Sequence, residues 1–67
     1  MTVHDTVKQA QAQVVIRVVI IWNPFVKRAL FVGFPTDIPK NLRFKRVVSY
    51  RYDKDKQRII IRINTEG

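Results

Sequence analysis

Residues 42–64 read LRFKRVVSYRYDKDKQRIIIRIN, and this stretch decides the fold. Apolar and polar side chains alternate on both sides of a charged turn, which is the period of a half-buried strand. Leu42, Phe44, Val48, Tyr50 and Tyr52 share one face, and Arg43, Lys45, Val47, Ser49 and Arg51 share the other. After the turn, Ile59, Ile61 and Ile63 oppose Arg58, Ile60, Arg62 and Asn64. No glycine lies between Tyr52 and Arg58, which disfavours a type I′ turn or a glycine bulge and favours a loop built on Asp53-Lys54-Asp55-Lys56. A slip of one residue would invert every side chain, so the faces restrict the register. Matching apolar to apolar pairs Tyr50 with Ile59 and Val48 with Ile61. The outer face then pairs Arg51 with Arg58, Ser49 with Ile60, Val47 with Arg62 and Lys45 with Asn64. Arg46 falls on the inner face, from which it must snorkel outward.

Working back from the hairpin, a second period of two runs from Lys8 to Trp22. Ala10, Ala12, Val14, Ile16, Val18, Ile20 and Trp22 share one face of it. A helical spacing coexists, through Val3, Val7, Ala10, Val14, Val18 and Ile21. The β-branched run from Val14 to Ile21 decides for a strand there, while Gln9 to Gln13 fits either period. Ahead of it, Thr2 with Asp5 three residues on can cap a short helix, so residues 1–7 read as a flexible or short helical segment. Both faces of the strand are apolar from Val14 onward. Val15, Val19 and Ile21 therefore require a cover: a helix, a barrel wall or a partner.

Asn23-Pro24 breaks this strand. Pro24 to Val32 could form a short helix ending at Gly33. The apolar residues on both parities between Ala29 and Phe34 favour a second strand instead. Pro35 to Asn41 reads as a loop. The expected fold is mainly β: one basic domain over residues 8–67, a small barrel or curled antiparallel sheet of about four to five strands. The alternative is an α+β fold with a short helix at residues 24–32.

With 67 residues there is room for one domain. No cysteine is present, and the lone His4 cannot build a structural zinc site, so neither a disulfide nor a metal stabilises the core. No cofactor is expected. The core must come from packing among the 46% of residues that are hydrophobic, or be completed by a partner chain. The longest apolar run, Val14 to Trp22, is interrupted by Arg17 and is far shorter than the roughly 20 residues of a spanning helix. No membrane association is expected, and the absence of cysteine and of a signal sequence points to the cytoplasm.

The formal charge of +8 comes from 13 Lys and Arg against 5 Asp and Glu. Self-repulsion of that size opposes folding and is relieved by a polyanion. The hairpin register gathers Arg43, Lys45, Arg51, Arg58 and Arg62 on one face, and guanidinium forks match phosphate oxygens in pairs. The leading expectation is a nucleic-acid-binding module, for DNA or RNA, that grips the backbone through these five residues. Most aromatic rings fall on the inner face; Phe25, beside Lys27 and Arg28, is the best candidate for an exposed one. The second expectation is a protein-interaction module that docks on an acidic partner or self-associates through Val15, Val19 and Ile21. Catalysis is not expected. Ser49 sits in no elbow-like turn, Asp53 and Asp55 lie among lysines, and no glycine-rich phosphate loop exists.

The run Arg46-Val47-Val48-Ser49-Tyr50-Arg51-Tyr52, a polar turn, and Arg58 to Ile63 resembles the C-terminal hairpin of RelE/ParE-type toxins. These are small basic α+β proteins, and the RelE-type members cut messenger RNA on the ribosome with basic residues of the sheet. The resemblance spans under half of the chain and does not extend to the family's paired N-terminal helices. It implies, as a third expectation, a ribosome-directed toxin with arginines as its only cations for catalysis.

Overall fold

The computed structural model describes residues 1–63. The N-terminal segment is an α-helix, α1 (Val3–Gln13). Thr2 caps it: its hydroxyl accepts from the Asp5 amide at 3.2 Å, and the Asp5 carboxylate accepts from the Thr2 amide at 3.5 Å. The buried Thr6 hydroxyl donates to the Thr2 carbonyl at 3.0 Å, so its burial leaves no polar atom unsatisfied. Once started, the helix runs through Gln9-Ala10-Gln11-Ala12-Gln13, because alanine and glutamine are strong helix formers. The strand expected from Lys8 therefore does not form there. Val3 and Val7 are buried, and Ala10 and Val14 pack against the core, following the helical spacing rather than the period of two.

Four strands follow: β1 (Val18–Asn23), β2 (Arg28–Gly33), β3 (Val47–Asp53) and β4 (Arg58–Ile63). They form one sheet in the order β2-β1-β4-β3. The two hairpins are antiparallel, but β1 and β4 meet in parallel at the centre. The sheet is thus mixed rather than antiparallel. It is also open, with β2 and β3 as its edges and no barrel closed. The helix considered for residues 24–32 is absent. Residues 24–27 are a turn, and the apolar stretch beyond it is β2. Between the hairpins lie a single 3-10 turn (Pro35–Asp37) and a short helix, α2 (Lys40–Arg43).

Both hairpins use the same turn. Asn23 opposite Arg28 closes one and Asp53 opposite Arg58 closes the other. The fourth turn residue is left-handed in each, Lys27 at φ 53° and Gln57 at φ 51°, where glycine would be the ordinary choice. The strand residue that precedes each turn supplies a side-chain acceptor. Asn23 Oδ1 takes the Phe25 amide at 2.9 Å, and Asp53 Oδ1 takes the Lys56 amide at 3.4 Å.

This turn corrects the register of the C-terminal hairpin by two residues. Tyr52, not Tyr50, lies opposite Ile59; Tyr50 faces Ile61, Arg51 faces Ile60 and Ser49 faces Arg62. A slip of two keeps each side chain on its face, so the alternation could not detect it. The like-charge pair of Arg51 and Arg58 is replaced by Asp53 beside Arg58. Near Val48 the strand shifts register, leaving Val48 63% exposed. Leu42 to Arg46 is not strand: Leu42 is buried in α2, Phe44 is exposed, and Arg46 is an exposed residue bridged to Thr2. The proposed pairing of Lys45 with Asn64 lies outside the described residues.

The core occupies one side of the sheet. Val19, Ile21, Ile59, Ile61 and Ile63 are fully buried there beneath Val3 and Val7 of α1, with Ile38 and Leu42 from the connection. Burying one such side chain stabilises by about 1.5–3 kcal/mol. The start of the helix is pinned by two backbone bonds. Val3 donates to the Lys45 carbonyl at 3.0 Å, and Val47 donates to the Met1 carbonyl at 2.9 Å. Beyond the helix, the Tyr52 hydroxyl donates to the Val15 carbonyl at 3.0 Å. Among the described residues no helix is long and apolar enough to cross a membrane.

Val19 and Ile21 do need a cover, and α1 is that cover. They are accordingly not available as the partner surface expected from the sequence; of that trio only Val15 is exposed. The sequence shows two apolar faces on β1, and the helix takes the one that carries Val19 and Ile21.

Candidate functional site

Because α1 and α2 pack on one side of the sheet, no layer covers the opposite face among the described residues. Alternation and pairing fix what it displays. From β1 come Val18, Ile20 and Trp22, and from β4 come Arg58, Ile60 and Arg62, each directly opposite its parallel neighbour. On the β3 side, Ser49 adjoins Arg62, Arg51 adjoins Ile60, and Asp53 adjoins Arg58. On the β2 side, Val32 adjoins Ile20 and Ala29 adjoins Trp22.

The open face is therefore divided. Its β2–β1 half is apolar, with Val32 61% exposed and Val18, Ile20 and Trp22 half-buried. Its β4–β3 half is basic, with Arg51 and Arg62 exposed around the half-buried Ile60. Ser49, Arg51, Ile60 and Arg62 line a depression there. Arg58 Nε is engaged by Asp53 Oδ2 at 3.2 Å, an ion pair about one-third exposed that leaves the outer guanidinium nitrogens for another acceptor.

Of the five cations expected to act together, the structure brings together Arg51, Arg58 and Arg62. Arg43 and Lys45 are elsewhere, because α2 and the turn after it replace the strand that would have aligned them. Arg43 lies on the helix side, its Nε donating to the Ile38 carbonyl at 3.0 Å, beside a cleft also lined by His4, Lys8 and Thr36. Lys45 is half-buried, and its carbonyl holds the Val3 amide. Phe25 is 62% exposed in the β1–β2 turn, next to the exposed Lys27 and Arg28.

Sequence reasoning missed Trp22, Ile20 and Val18 as members of this face. Their shared parity was visible, but with both faces of β1 apolar nothing in the strand itself says which one a helix covers. Among the described residues no three metal-ligating side chains lie together. His4, on α1, is across the sheet from Ser49. No known family, no curated protein and no solved structure matches this chain.

Proposed function

We propose that the chain binds nucleic acid across the open face of its sheet, with Arg51, Arg58 and Arg62 gripping the phosphate backbone. The observation that carries this reading is the placement of three arginines on the sheet face that no helix covers among the described residues. Their spacing is set by the β3–β4 ladder, so the guanidinium groups are held by a rigid element rather than a loop. A net charge of +8 supplies long-range attraction to a polyanion, and the bidentate match of guanidinium to phosphate supplies the short-range contact.

The test is fluorescence anisotropy with labelled DNA and RNA oligonucleotides between about 50 and 200 mM salt, where phosphate contacts dominate the salt dependence. The double variant Arg51→Ala, Arg62→Ala is expected to weaken binding and to flatten the salt slope by roughly 1.4 for a single strand or 1.8 for a duplex. An unchanged slope removes these residues from the interface.

A second reading has its own observation. Val32 and Phe34 are 61% and 62% exposed at and just beyond the β2 edge, and a partner protein or second copy could seat on that half of the face. Sedimentation separates the two readings: a monomer that binds oligonucleotides supports the first, and a dimer that Val32→Lys disrupts supports the second.

A further inference from the structure

We infer that the ligand of the open face is single-stranded, with a base stacked on Trp22 and the adjoining phosphates on Arg62 and Arg51; this rests on the nucleic-acid reading above. The inference comes from the division of the face. A single strand is itself divided along its length, with aromatic bases on one edge and phosphates on the other. The apolar β2–β1 half and the basic β4–β3 half present the complementary pattern side by side, with the junction running between β1 and β4.

Trp22 sits at that junction. It lies directly opposite Arg62 on β4 and Ala29 on β2. Ala29 is exposed and small, the register shift beside Trp22 leaves the partly exposed Leu30 as the extra residue of β2, and the indole itself is partly exposed. Ile20 and Ile60 continue the apolar floor from Trp22 toward Arg51. At about 4.8 Å between strands, β3 lies roughly 10 Å from β1. That is a distance at which one nucleotide chain can touch the ring with its bases and the arginines with its backbone. Every base offers a π-face, so such a platform binds without strong sequence preference.

A duplex fits poorly for two reasons. Its outer surface is phosphate on every side, so docking it would press Val32, Ile20 and Trp22 against charged groups. Nor can the sheet enter the major groove: four strands span about 14 Å between their outer axes before side chains are added, against a groove of about 12 Å.

Trp22 is the sole tryptophan of the chain, so intrinsic fluorescence reports on this ring alone. Titration with a single-stranded oligonucleotide of deoxythymidine or uridine at low salt is expected to quench its emission. A duplex of equal length is expected to bind at least tenfold more weakly and leave the emission unmoved. By anisotropy, Trp22→Ala should weaken single-strand binding about 5- to 150-fold, and Trp22→Phe should restore most of it. If a duplex binds as tightly as a single strand, with Trp22 emission unchanged and binding still lowered by Arg51→Ala, Arg62→Ala, the stacking inference is overturned while the phosphate reading stands. If no oligonucleotide binds at low salt, both fall.

Discussion

The two faces of the sheet are built from the same strands and nearly the same apolar residues, yet they do different work. On the covered face, Val19, Ile21, Ile59, Ile61 and Ile63 are wholly buried and no cation intrudes. One residue along, Ile20 and Ile60 remain half-buried and stand among Arg51, Arg58 and Arg62. Hydrophobicity alone does not separate the faces. What separates them is where charge is permitted: a guanidinium beneath α1 would be desolvated without a partner, so every arginine of β3 and β4 lies on the other parity or at a strand end. The lesson is that in a two-layer domain this small, the uncovered apolar face is best recognised by the cations interleaved with it.

The largest effect that could break this comparison is on stability. Ile61→Ala should cost about 2–5 kcal/mol, enough to unfold much of a domain this size, whereas Ile60→Ala should cost about 1 kcal/mol. Urea melts of the two variants decide it. Equal losses would mean that the open face is also covered in solution. Thr2→Ala should cost about 1 kcal/mol by removing the cap of α1. Circular dichroism should show less helix, and oligonucleotide affinity of the folded protein should be unchanged, because the helix lies on the other face.

Asp53→Asn sharpens the contrast by moving two properties in opposite directions. Loss of a partly exposed ion pair should lower stability by at most about 1 kcal/mol, while releasing Arg58 and removing a negative charge should tighten nucleic-acid binding by about 0.2–1 kcal/mol. Parallel thermal melts and anisotropy titrations check both signs. The smallest effect belongs to the turns. Gln57→Gly removes the cost of a left-handed non-glycine residue but adds freedom to the unfolded chain, for a net gain of about 0.5 kcal/mol. Lys27→Gly should give a matching shift in Tm, since the two turns share their geometry.

The parity of the C-terminal hairpin was legible because Tyr52, Ile59, Ile61 and Ile63 alternate with Arg51, Arg58 and Arg62. Its register was not, since a two-residue slip preserves that parity and the left-handed Gln57 carries no glycine to mark it. β2 was readable from the apolar residues between Ala29 and Phe34. Helix α1 was half hidden: Gln9 to Gln13 alternate by size, which mimics a strand, and only their helix propensity, added to the Thr2 and Asp5 cap, settles the matter. The candidate site was legible for Arg51, Arg58 and Arg62. Arg43 and Lys45 were misplaced because α2 has no capping side chain and is only four residues long, too short to carry a sequence signature. Trp22 was missed because the choice of face on β1 depends on α1, a decision made elsewhere in the chain.

Isoleucine methyl groups sample both faces at once, so the most direct test is a methyl NMR titration of the isoleucine-labelled protein with a single-stranded oligonucleotide. The account predicts that Ile20 and Ile60 shift progressively with added oligonucleotide while Ile21, Ile59, Ile61 and Ile63 stay nearly fixed. Shifts confined to Ile38, beside Arg43 in the cleft of the helical face, with Ile20 and Ile60 unmoved, would contradict it.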